Sequence, residues 1–153
     1  MHHRPQYQIL QKRVQEPRQF IQVITGPRQV GKTTLVHQLL EGVDLPWHFS
    51  SADEAATEQP SWIDQQWETA RLKMKQAASG DFLLVIDEIQ KVKNWSNTVK
   101  KHWDKDSREG RRLKVILLGS SRLLLEAGLT VSLGGRFERI YMGHWPFSEM
   151  HAA

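Results

Sequence analysis

Gly26-Pro27-Arg28-Gln29-Val30-Gly31-Lys32-Thr33 fits the pattern G-x-x-x-x-G-K-[ST] at every position. The apolar run Phe20-Ile21-Gln22-Val23-Ile24-Thr25 precedes it. Thr34-Leu35-Val36-His37-Gln38-Leu39-Leu40, which reads as a helix, follows it. A strand, a glycine-rich loop and a helix in that order aim successive backbone N–H groups at one concave point, and the helix N-terminus adds its partial positive charge there. Gly26 and Gly31 permit backbone angles and a close approach that a Cβ would block. The stretch Gly26, Pro27, Arg28, Gln29, Val30, Gly31, Lys32, Thr33 and Thr34 is therefore the candidate phosphate-binding segment. In such a loop the lysine, here Lys32, reaches the β- and γ-phosphates, and the hydroxyl of Thr33 ligates Mg²⁺.

The bulk composition is compatible with that reading. At 153 residues the chain is long enough for one domain with a proper core. It has no apolar run of membrane-span length and no signal-peptide core at its N-terminus. It has no cysteine, which excludes a disulfide framework, thiol chemistry and a Cys-based metal site. A nucleotide-using domain without export signals is expected in the cytoplasm. The net charge is +4, much of it from Arg4, Lys12, Arg13 and Arg18 and from Lys91, Lys93, Lys100, Lys101, Arg108, Arg111 and Arg112. Solvated helix faces and attraction of an anionic nucleotide account for that excess more simply than a dedicated nucleic-acid patch does.

Strand and helix alternate along the rest of the chain. Residues 1–17 form a polar, basic N-terminal segment whose apolar anchors are Tyr7, Ile9, Leu10 and Val14, a short helix ended by Pro17. Pro46–Ser50 reads as a short strand, and Ser61 as the N-cap of a long helix over 62–78. In that helix Ile63, Trp67, Ala70 and Met74 recur at helical spacing, with Trp62 and Leu72 broadening the stripe. Phe82-Leu83-Leu84-Val85-Ile86 and Leu113-Lys114-Val115-Ile116-Leu117-Leu118 are short continuous apolar runs, the pattern of strands buried on both faces of a parallel sheet. Trp95, Val99 and Trp103 mark a helix between them, and Ser121–Ala127 reads as a short helix stopped by Gly128. Phe137–Met142 completes a mostly parallel, five-stranded sheet. The fold class is α/β, with the core over 18–153.

The run Leu83–Ile86 feeds directly into Asp87 and Glu88. Open α/β sheets present functional groups at the carboxyl ends of their strands, where the phosphate loop also opens. Asp87 is the candidate to hold Mg²⁺ beside Thr33, directly or through water, and Glu88 the candidate to orient and polarise an attacking water. The short strand at 46–50 falls between the two motifs, as a strand does in many ATPases. Ser120, at the tip of the next strand with Ser121 close behind, is placed to contact a γ-phosphate or the water; helix capping is the alternative. Arg136, after Gly134 and Gly135, is the first candidate for a charge that stabilises phosphoryl transfer, from its own chain or a neighbour, and Arg139 the second. A surface ion pair is the alternative for each. Arg28 and Arg122 are lesser candidates for phosphate or partner contact.

Together these segments resemble the prokaryotic AAA-type P-loop ATPases of the archaeal-ATPase-like group. The words that carry the likeness are Gly26-Pro27-Arg28-Gln29-Val30-Gly31-Lys32-Thr33-Thr34, Ile86-Asp87-Glu88-Ile89-Gln90-Lys91 followed by Trp95, Gly119-Ser120-Ser121, Leu133-Gly134-Gly135-Arg136 and Pro146-Phe147-Ser148-Glu149. They span residues 18–149. Gly134 stands where the group commonly has Ala. The resemblance implies a P-loop NTPase three-layer sandwich, ATP rather than GTP as nucleotide, Mg²⁺ as cofactor, and a neighbouring subunit or partner protein that completes the site. It also implies a C-terminal domain of unknown function beyond the last box, so the sequence as given is expected to be the ATPase part alone, with slow turnover. A nucleotide-binding switch with little turnover is the alternative. A small-molecule kinase ranks lower, because residues 34–80 supply no acceptor-binding signature, and a nucleic-acid motor rests on net charge alone.

Overall fold

The structure, a computed structural model, describes residues 5–53, 58–77, 80–120, 125–126, 128–129 and 132–143. In chain order its elements are α1 (Pro5–Gln15), β1 (Ile21–Thr25), α2 (Lys32–Gly42), β2 (Trp47–Ser51), α3 (Pro60–Ala77), β3 (Phe82–Asp87), a short 3-10 turn (Ile89–Lys91), α4 (Trp95–Arg108), β4 (Leu113–Gly119) and β5 (Phe137–Tyr141). The strands form one all-parallel sheet in the order β2-β3-β4-β1-β5.

The unbroken apolar runs become the central strands. Every residue of β1, β3 and β4 is buried, whereas the edge strands β2 and β5 are mostly half-buried or exposed. Side chains alternate between two cores, as the pleat requires. Ile21, Val23, Leu84, Ile86, Val115 and Leu117 pack with Ile63, Trp67 and Ala70 of α3 and Trp95, Val99 and Trp103 of α4. Ile24, Leu83, Val85, Ile116 and Leu118 pack with Leu10 and Val14 of α1 and Leu35, Val36, Leu39 and Leu40 of α2. Each such fully buried side chain contributes about 1.5–3 kcal/mol of transfer free energy. Helices on both faces of a parallel sheet make the three-layer arrangement that the apolar runs predict.

Three local expectations need correction. Helix α3 starts at Pro60, so Ser61 lies inside the first turn and is not the cap; proline suits that first position because its missing N–H has no helical partner. Leu72 is 56 % exposed and Ile9 46 % exposed, so neither anchors its helix. Helical spacing identifies a face, but the rim of that face reaches solvent. The strand between the two motifs in sequence, β2, lies at the sheet edge, and the strand that separates β1 from β3 in space is β4. The expected helix over 121–127 falls largely on residues outside those described, as do Ser121, Arg122 and the box at 146–149.

Parallel pairing fixes the geometry of the site. Thr25 pairs with Gly119 on one side and with Tyr141 on the other, while Ser51 pairs with Asp87. All five carboxyl ends therefore lie along one edge. The loop after β1, the end of β4 and the end of β3 follow one another along it.

Candidate active site

The loop between β1 and α2 is shaped by its glycines in two different ways. A Cβ on Gly26 would lie 2.0 Å from the carbonyl oxygen of Met142, so only glycine lets the chain after β5 pass this close. Gly31 has open space around it, but its φ is +93°, a backbone angle that L side chains rarely adopt. Gln29 also holds positive φ, at +64°. Gly31 caps α2 without any side-chain hydrogen bond. The first N–H groups of the helix thus have no side-chain partner there and point toward the loop, the arrangement that receives an anion.

Lys32 is buried at the first turn of α2, and its Nζ donates to the carbonyl oxygens of Gly26 at 2.8 Å and Pro27 at 2.7 Å. Its pKa is held below the ordinary lysine value by burial, against the fields of Glu88 and Asp87, with Arg28 adding to the lowering. The Thr33 hydroxyl donates to Asp87 Oδ2 at 3.1 Å. The other oxygen, Oδ1, accepts the backbone N–H of Glu88 at 2.9 Å. Burial raises the Asp87 pKa; the Thr33 hydrogen bond opposes the shift and the Glu88 charge adds to it. Residues 54 positions apart are thereby joined in one contact at the carboxyl edge.

Glu88 sits beyond the end of β3 with φ of +54°, and this turn directs its side chain toward the neighbouring strand, β4. Its carboxylate accepts the Ser120 hydroxyl, with Ser120 Oγ 2.9 Å from Oε2 and 3.1 Å from Oε1. It also accepts Gln90 Nε2 at 2.6 Å on Oε2. Ser120 reaches Glu88 because β4, at whose tip it stands, is the strand next to β3. Sequence reasoning did not single out Gln90 as a site residue. The available signal was its place two residues after Glu88 in a tight turn, where a side chain folds back toward the strand end.

The two arginine candidates separate cleanly. Arg136 precedes β5, and its backbone carbonyl accepts the N–H of Ile21 at the amino end of β1. Its guanidinium grips Asp104 of α4 through Nε at 2.7 Å and Nη2 at 3.1 Å. It is thus not brought to the phosphate loop of its own chain, which lies at the opposite edge of the sheet. The reason is strand direction: in a parallel sheet the segment entering β5 must lie where β1 begins. Arg139, further along β5, does reach that edge, donating from Nε to Thr25 Oγ1 at 3.1 Å and from Nη2 to Glu126 at 3.3 Å. Arg28 stays exposed in the loop.

A protein-family model described as an AAA domain matches residues 18–151. The chain belongs to the AAA domain family. An AAA domain is a nucleotide-binding domain of ATPase type. AAA domains often work as oligomers. Among the described residues no helix is long and apolar enough to cross a membrane.

Much of the basic excess is already spent inside the fold. Arg18 lies 3.5 Å from the centre of the Trp103 ring and donates to the carbonyls of Leu113 and Trp103. Lys91 pairs with Asp53, Lys101 with Asp64, Arg111 with Asp106 and Glu109, and Arg112 with Asp81. These pairs weaken the case for a nucleic-acid face built on the same residues.

Proposed function

We propose that this domain binds Mg·ATP through Gly26–Thr34 and Asp87 and hydrolyses it slowly, with Glu88 orienting the attacking water. The observation that carries the proposal is the Thr33–Asp87 hydrogen bond, with the Glu88 carboxylate next to it on the same sheet edge. A hydroxyl and a carboxylate oxygen in contact are hard donors of the kind Mg²⁺ takes, and a single carboxylate is enough when nucleotide phosphates and water supply the remaining ligands. Thr33 and Asp87 would hold Mg²⁺, and the ion would neutralise charge developing on the phosphate oxygens.

The protein's own groups divide the remaining work. The α2 N-terminus and the loop N–H groups bind phosphate oxygens, and Lys32 shifts from the Gly26 and Pro27 carbonyls to the β- and γ-phosphates. Glu88 takes a hydrogen bond from water and so aligns it for in-line attack. Ser120 acts on Glu88, and whatever it also offers the γ-phosphate comes from the same hydroxyl. Hydrolysis is expected to be slow, because the arginine in register with the Gly-Gly-Arg segment does not reach the loop in its own chain. Arg136 serves the reaction only if a neighbouring copy or partner presents it.

The test is steady-state ATP hydrolysis with Mg²⁺ alongside binding of a fluorescent ATP analogue. Glu88→Gln is expected to abolish turnover while leaving binding, and Lys32→Ala to remove binding. Nucleotide binding without turnover in the unaltered protein would overturn the hydrolase reading and leave the nucleotide-dependent switch.

A further inference from the structure

We propose that Gln90 is a positioning residue for Glu88, holding the carboxylate by one oxygen so that the other faces the reacting water. The inference deepens the ATPase reading above and rests on it. Gln90 is buried in the 3-10 turn that follows Glu88, and its Nε2 lies 2.6 Å from Glu88 Oε2 and 3.5 Å from Ser120 Oγ. Ser120 has one hydroxyl proton, shared between the two Glu88 oxygens at 3.1 and 2.9 Å. Oε2 therefore carries the Gln90 bond, and Oε1 keeps acceptor capacity for a further donor. A carboxylate anchored at one oxygen cannot rotate freely about its last torsion, and this removes disorder that would misalign a water.

Two further observations show that the fold is arranged around this amide. Gln90 Oε1 is buried and has no hydrogen-bond partner among the described residues. An unsatisfied buried carbonyl is costly, and an apolar side chain of similar size would avoid the cost, so packing alone gives no reason for glutamine here. The space the amide occupies exists because residue 119 is glycine: a Cβ there would lie 2.7 Å from Gln90 Oε1 and 2.4 Å from Leu125 Cδ1. Sequence position 119 is thus tied to the site through Gln90 as well as through its neighbour Ser120.

The experiment compares Gln90→Leu and Gln90→Met with the unaltered chain in three measurements: kcat for ATP, affinity for a fluorescent ATP analogue, and melting temperature. The expected result is a loss in kcat of about ten- to a hundredfold, the scale of a misplaced reacting group, with affinity unchanged and melting temperature equal or higher. In a Glu88→Asp background, whose shortened carboxylate withdraws from Gln90 but keeps a measurable rate, Gln90→Leu is expected to add no further loss, since residues that act as a unit are not additive. A loss that multiplies with that of Glu88→Asp, or one matched by a fall in melting temperature, would overturn the proposal and leave Gln90 a structural residue. If the unaltered chain has no turnover, the ATPase reading fails separately, and the contact is read from the Gln90 side-chain amide resonances. A shift in them on Glu88→Ala supports the grip on Glu88, and unchanged resonances overturn it.

Discussion

Arg136 provides the sharpest test of how the fold distributes catalytic charge. Ile21 and Thr25 are four residues apart on β1, so the carbonyl contact of Arg136 at Ile21 is about 13 Å from the start of the phosphate loop at a strand rise of ~3.3 Å per residue. Its guanidinium is committed to Asp104 in a two-pronged ion pair, roughly a third exposed on both sides. A pair of that exposure is worth ~0.2–1 kcal/mol, so Arg136→Ala is expected to lower the melting temperature by no more than about 4 °C. A charge acting on the transferring phosphoryl group would instead be worth about 10³–10⁵ in rate. The assay is ATP turnover per chain across a hundredfold range of protein concentration, for Arg136→Ala and for the unaltered sequence. At the dilute end the two rates are expected to agree within about twofold; divergence that grows with concentration would mean that a neighbour presents Arg136. A thousandfold loss already present at the dilute end would refute the assignment of Arg136 to the remote edge.

Two further outcomes follow from groups outside the site. Asp106 of α4 is fully buried and accepts Trp67 Nε1 at 3.0 Å, Arg71 Nε at 3.0 Å and the Arg111 guanidinium. Asp106→Ala leaves the Trp67 indole N–H without its acceptor and Arg71 and Arg111 with only Glu68 and Glu109, and denaturant unfolding should show a loss of about 3–5 kcal/mol; a loss under 1 kcal/mol would contradict that account. His102 stacks on Trp67 and meets Asp64 at 2.6 Å, and burial holds its pKa below the ordinary value, with Asp64 opposing the shift and the charges of Arg71 and Lys101 adding to it. The unfolded chain gains this proton near pH 6.5 while the native chain resists it. The His102 contribution is therefore complete above that pH and declines as pH falls through it. His102→Gln should flatten the pH dependence of the melting temperature between about pH 7.5 and 5.5, and an unchanged slope would refute the role.

The parts of this fold that could be read from sequence are those where one local rule suffices. Leu83–Ile86 and Leu113–Leu118 are apolar without alternation because β3 and β4 are covered on both faces, and Gly26–Thr33 fits its pattern because backbone geometry demands glycine at 31 and close packing demands it at 26. Strand order was not legible. Nothing in residues 47–51 says that the chain carries β2 past two positions to the far edge, since that depends on where α2 packs. The side of the sheet on which Arg136 falls was hidden for the same reason: it follows from the direction of β5 relative to β1, a tertiary fact. Gln90 stands in the Ile86–Lys91 word that carries the family likeness, yet no role could be read for it there, because that role lies in a side-chain contact across a turn and no periodicity marks such a contact.

The ammonium of Lys32 rests on two carbonyl oxygens of its own loop, and this makes the loop its own competitor. A phosphate that enters does not find a vacant charge; it must draw the ammonium off two acceptors that then turn to water. In the proposed nucleotide complex the ammonium exchanges these two neutral carbonyl acceptors for anionic phosphate oxygens, and the net gain is the difference between the two sets of bonds.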